Sequence, residues 1–179
     1  MAEEAQQLMD KFKAWEPKVS NWDPDHRPSP TPGTIYSADD TYRFVWRTTI
    51  WLFKNTASVL ASEIVIEWAR AQCTVSPSVS CSATLERAVR TQKELCQELI
   101  ESTVYYLKEF RSSQPGMRTI GGYGLLWPIY VLSTSSTSTL ETMIWITEQS
   151  EKVAEEFGIR QAKVMADFLR MYTTLPVNG

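Results

Sequence analysis

Residues 39–68 read DDTYRFVWRTTIWLFKNTASVLASEIVIEW. Tyr42, Trp46, Thr49, Phe53, Ala57, Leu60, Ile64 and Trp68 recur at steps of three and four, and Val45, Leu52, Val59 and Ile66 at steps of seven. Residues at those steps line up along an α-helix, so each set forms a row. Two rows predict a long helix covered on two sides, at the centre of a bundle. Asp39 and Asp40 suit its N-terminus, where backbone N–H groups and the helix dipole favour carboxylates.

The same stretch lies in a long interval poor in helix breakers. From Thr34 to Gln114 there is no glycine, and Pro77 is the one proline. Glycine and proline are the residues that most disfavour a helix interior, so this interval permits long helices. A Ser/Pro loop over 74–82 divides it. The following helix, over 83–111, shows Leu85, Ala88, Gln92, Cys96, Leu99, Thr103, Tyr106 and Phe110 on one face, opposite a charged face.

Further along, Gln114-Pro115-Gly116 ends that helix and an apolar helix is predicted over 121–133. Ser138-Thr139-Leu140-Glu141 reads as a capping box for a helix reaching Phe157. Gly158 is suited to its C-cap, because glycine takes the left-handed conformation without penalty. A last helix covers 160–172. On the N-terminal side, a short helix over 3–15 precedes a proline-rich arm with five of the nine prolines. The expected organisation is residues 1–36 as short helix plus arm and 37–179 as the body. The fold class is all-α: an irregular bundle of about five to six helices.

Composition narrows the function. The 179 residues carry 18 basic and 21 acidic side chains, for a net charge of −3. That balance gives no basic footprint for phosphate, so no direct nucleic-acid partner is expected. Residues 2–16 are charged and lack the apolar core of a signal peptide. Residues 119–140 are free of charge, but their apolar part, 120–132, is short of the roughly 20 residues a membrane span needs. Nucleus or cytoplasm is the expected location.

Catalytic and metal chemistry find little in this inventory. Three cysteines and one histidine make a four-ligand zinc site improbable, and no metal or cofactor is expected. Cys96 falls on an apolar row and reads as core. Cys73 and Cys81 flank the Ser/Pro loop and can approach each other; in a reducing compartment they are expected as free thiols. His26, inside Asp23-Pro24-Asp25-His26-Arg27, reads as a surface loop residue. Glu63 and Glu67 share a helix face at four-residue spacing. With Arg70 beside them, they read as a solvated, ion-paired face. Gly121-Gly122-Tyr123-Gly124 lacks the lysine of a phosphate loop and reads as close packing at a helix start.

Seven tryptophans leave two readings. The aromatics are either a packed core or the wall of a pocket for a small apolar or aromatic metabolite. In the second reading the ligand sits between the 39–68 helix and the 121–133 helix, with Trp46 and Trp127 as walls and Arg43 or Tyr123 as polar anchor.

Two stretches carry a family resemblance: Gly122-Tyr123-Gly124-Leu125-Leu126-Trp127-Pro128 and Gly158-Ile159-Arg160-Gln161-Ala162-Lys163-Val164-Met165-Ala166-Asp167-Phe168-Leu169. In this order, with a Glu-rich helix between them, they resemble the C-terminal part of the fungal-specific transcription factor domain, the helical regulatory region of zinc-cluster transcription factors. The resemblance implies an all-α regulatory domain, a nuclear role, protein or effector partners and control of metabolic genes. The chain lacks the six-cysteine DNA-binding cluster of that family. The implied function is a regulatory domain without its own DNA-binding module, linked to secondary metabolism. The alternative is a free-standing cofactor-independent tailoring enzyme (a cyclase, isomerase or lyase) built on the same helices.

Overall fold

A computed structural model describes residues 2–14, 38–111 and 115–174, with side chains described over 4, 6–12, 14, 49–108, 111 and 120–172. Six helices make up this part: α1 (Ala2–Ala14), α2 (Ala38–Val75), α3 (Val79–Arg111), α4 (Pro115–Thr134), α5 (Leu140–Phe157) and α6 (Arg160–Thr174). The described residues contain no strand. The fold is all-α, as the periodicity predicts. The proline-rich arm over 16–36, with Trp22 and His26, lies outside the described residues.

Two boundaries differ from the sequence expectation. The loop after α2 shrinks to residues 76–78, because α3 begins at Val79 rather than near residue 83. The Ser78 hydroxyl accepts from the Cys81 backbone N–H at 3.1 Å, which caps this early start. Second, α5 is capped by Thr139, whose hydroxyl accepts from Thr142 N–H at 3.2 Å. Ser138 instead donates its hydroxyl to the Leu132 carbonyl. At the other end, Gly158 has φ 71°, the left-handed C-cap expected of it.

The centre of the bundle is shared by two helices. α2 touches α1, α3 and α4, as its central place predicts, and α4, which the sequence did not single out, touches α2, α3, α5 and α6. The reason lies in its glycines. A Cβ on Gly122 would stand 2.8 Å from Phe157 Cβ and 2.9 Å from Ile159 Cγ1, and one on Gly124 would stand 2.9 Å from the Tyr106 hydroxyl. Residues without side chains let α4 sit flush against α3 on one side and the α5–α6 joint on another. The close packing expected of this glycine run is what the structure contains. Leu125, Ile129 and Leu132 of α4 then fill the core with Leu52, Val59, Leu99, Tyr106, Ile146 and Ile159.

Two contacts fix how α2 and α4 lie. Near one end, Thr49 Oγ1 is 3.2 Å from the Tyr106 hydroxyl, which sits under Gly124. Near the other, the Glu63 carboxylate accepts from the Ser135 hydroxyl just beyond α4. Both helices run from the first contact to the second, so they are parallel neighbours.

Candidate functional site

The seven-step row of α2 is buried: Leu52, Val59 and Ile66 are at most 1% exposed. The other row is not. Phe53, Leu60, Ile64 and Trp68 remain between 37% and 48% exposed, so this row stays open although α1, α3 and α4 all pack on α2. On the parallel helix α4, Ile120, Tyr123, Trp127 and Tyr130 are likewise open to solvent, between 48% and 64%. Their spacing of three and four residues places them on one face of α4. Trp127 and Tyr130 stack on each other with ring centroids 5.8 Å apart.

This outward face holds the candidate residues whose side chains are described. Tyr123 and Trp127 are half-exposed on it, so Trp127 and Trp68 are not the packed core that one reading of the tryptophans expects. Arg43 and Trp46 lie on α2, but their side chains are outside the described residues. A recess of about 250 Å³ opens where the α2 row ends, lined by Trp68, Ala69, Gln72, Ser76, Cys81 and Thr84. Its volume is below the 300–1,000 Å³ usual for a small-molecule pocket.

The covered side of α2 is held by polar contacts that sequence spacing does not reveal. Asn55 donates to Ser102 at 2.8 Å, joining α2 to α3. Glu63 does not belong to a solvated face with Glu67. Its Oε1 accepts from Gln92 Nε2 at 2.6 Å, from Ser135 Oγ at 2.9 Å and from the Ser136 backbone N–H at 2.7 Å. The expectation fails because these partners come from α3 and the α4–α5 turn, and folding alone brings them to Glu63. Glu67 pairs with Arg70 at 2.6 Å, as its spacing predicts. Gln92 is fully buried, and its Oε1 has no partner among the described residues. Cys96 is buried as expected and hydrogen-bonds to Ser135.

Cys73 and Cys81, expected as free thiols, form a disulfide with Cα atoms 5.5 Å apart. The three-residue turn between α2 and α3 brings the last turn of one helix beside the first turn of the other. That is the separation a disulfide requires. Among the described residues no three His, Cys, Asp or Glu side chains gather as a metal site would need, and no helix is long and apolar enough to cross a membrane.

Among the described residues two groups carry shifted pKa values, and both belong to the scaffold. Burial pushes the Tyr106 phenol up, against the opposing hydrogen bond with Thr49. Burial pulls the Lys54 ammonium down, against the attraction of Glu98. The Lys54 Nζ also stands 4.4 Å from the centre of the Trp51 ring.

The stretches 122–128 and 158–169 meet in the fold, since Gly122 packs on Ile159 as well as on Phe157. Ala162, Ala166 and Leu169 complete the buried side of α6. Their residue types are accounted for by packing: small where helices approach, aliphatic where they fill. Comparison with protein-family models, with curated proteins and with solved structures finds no match to this chain.

Proposed function

We propose that this chain is a regulatory, protein-binding helical domain of the fungal transcription-factor type, acting in the nucleus without a DNA-binding module of its own. The observation that carries this reading is the outward apolar face of α2 and α4. Soluble monomers rarely leave a large contiguous apolar patch open unless it serves recognition. Exposed tryptophan and tyrosine are the side chains enriched at the anchor points of protein interfaces. The net charge of −3 argues against recruitment through DNA phosphates, so a protein partner supplies the link to the promoter. A small aromatic metabolite resting on Tyr123 and Trp127 is the effector this face would accept.

Deletion of the gene, read by transcripts and metabolites together, tests the proposal. A fall in the transcripts of a metabolic gene set is the expected result. Accumulation of a precursor with transcripts unchanged would replace it with the tailoring-enzyme reading. Retardation of duplex DNA by the purified chain at physiological salt, with a steep salt slope, would also count against it.

A further inference from the structure

We infer that the outward face of α2 and α4 is a homodimer interface, and that its occupant is a second copy of this chain. The inference rests on the protein-binding reading and names its first partner. Phe53, Leu60, Ile64 and Trp68 on α2 and Ile120, Tyr123, Trp127 and Tyr130 on α4 are each 37–64% exposed. At about 200 Å² for a whole large side chain, these eight leave roughly 800 Å² open. A stable interface buries about 800 Å² on each partner, so one such face matched by its own copy is sufficient.

Charge selects the copy over a partner of opposite sign. Residues 119–140 include the whole open row of α4 and contain no charged side chain. The charges nearest the end of the α2 row, Glu67 and Arg70, neutralise each other at 2.6 Å. A face of this kind meets itself without like-charge repulsion, and offers nothing for a highly charged partner to read. The contrast is α6, where Val164, Phe168, Met171 and Tyr172 are also exposed. There they alternate with Lys163, Asp167 and Arg170, which are tied to one another and to Glu151 as ion pairs. That row is broken by solvated charge and is the less suitable interface.

Geometry supplies the self-complementarity. The two rows are on parallel neighbouring helices. A two-fold axis between them, parallel to both, lays the open row of α4 in one copy on the open row of α2 in the other, and the reverse. The Trp127–Tyr130 stack is the rigid anchor of each half, with Phe53 of the other copy, at the same height along the parallel helices, as the surface it covers.

The experiment is sedimentation equilibrium of the full chain from 1 to 100 µM. The expected result is a species of twice the 20.5 kDa chain mass that dissociates on dilution. Trp127→Glu, and separately Ile64→Lys, should weaken association by about 100-fold or more, because each change occurs twice in a two-fold interface. Their far-ultraviolet circular dichroism should match the parent, since both sites are half-exposed. Phe168→Glu on α6 should leave the dimer intact. A chain that stays at monomer mass at 100 µM overturns the inference. So does a dimer that survives both α2 and α4 substitutions, or one that Phe168→Glu dissociates. A monomer in a strain whose deletion still lowers transcripts would overturn the dimer alone. A dimer whose deletion accumulates a precursor at unchanged transcript levels would overturn the regulatory reading alone.

Discussion

Leu52 and Phe53 are neighbours on α2, and the two apolar rows to which they belong end in different environments. Leu52, Val59 and Ile66 are closed off from solvent, whereas Phe53, Leu60, Ile64 and Trp68 keep roughly two-fifths to half of their surface. The same division runs down α4, between Leu125, Ile129 and Leu132 on the inside and Tyr123, Trp127 and Tyr130 on the outside. Apolar periodicity reports where a helix is sticky and is silent about what covers it. The inner row is covered by this chain, and the outer row is free for something else.

The largest effect should come from the inner row. Leu52→Ala deletes a fully packed side chain and should destabilise the fold by about 2–5 kcal/mol, whereas Leu60→Ala, one step round the helix, should cost under about 1 kcal/mol. Urea unfolding of the pair, measured at low protein concentration, checks the contrast. Equal losses would mean that the outer row is also covered within one chain.

Reduction of the disulfide is next. Opening the short Cys73–Cys81 loop should cost about 2.5 kcal/mol by loop-closure entropy. The denatured chain should show one reactive thiol before reduction and three after, because Cys96 is the remaining cysteine. Three thiols at the start would show that the α2–α3 turn closes without a covalent link.

Gly122→Ala tests the inner side of α4. The new methyl group would meet Phe157 and Ile159 inside 3 Å, and such overpacking should cost about 1–3 kcal/mol. Trp127→Ala removes far more atoms five residues on. It should cost less than the 3–5 kcal/mol of a buried tryptophan, because its ring is half in solvent. Thermal melts of the two variants give the order directly.

The smallest effect is on pH dependence. Burial raises the Tyr106 phenol above its ordinary value of 10.0. Above that pH the unfolded chain has lost a proton that the folded chain still holds. The contribution of Tyr106 is therefore complete below pH 10.0 and declines as pH rises through the folded-state value. Lys54 has the opposite sign: its lowered pKa means the unfolded chain holds the extra proton, so stability gains as pH climbs toward 10.5. Tyr106→Phe should flatten the alkaline fall in a stability–pH series. An unchanged slope would locate the titration elsewhere.

Much of the architecture was legible in the sequence. The scarcity of glycine and proline between residues 34 and 114 marked two long helices, and Gly158 marked the end of α5. The central place of α4 was harder to read. It depends on Gly122 and Gly124 meeting Phe157 and Tyr106, residues outside the local pattern. Glu63 misled for the same reason, since Gln92 and Ser135 are distant in the chain. The cysteine pair misled differently: the assumed compartment outweighed the geometry of a short turn. For the outer face, Tyr123 and Trp127 were recognisable as candidates from their chemistry, but their exposure was not.

The Glu63 carboxylate has a consequence for the order of folding. It joins residue 63 to residues 135 and 136, a span that must be gathered in before either bond exists. The α2–α3 hairpin needs only a three-residue turn. Loop closure favours the short span, so the hairpin forms first and the Glu63 clasp closes behind it. Ser135→Ala, which removes the late partner and leaves the Glu63–Gln92 bond of the hairpin in place, should accordingly leave the refolding rate nearly unchanged and speed unfolding, the signature of a contact made after the barrier has been crossed.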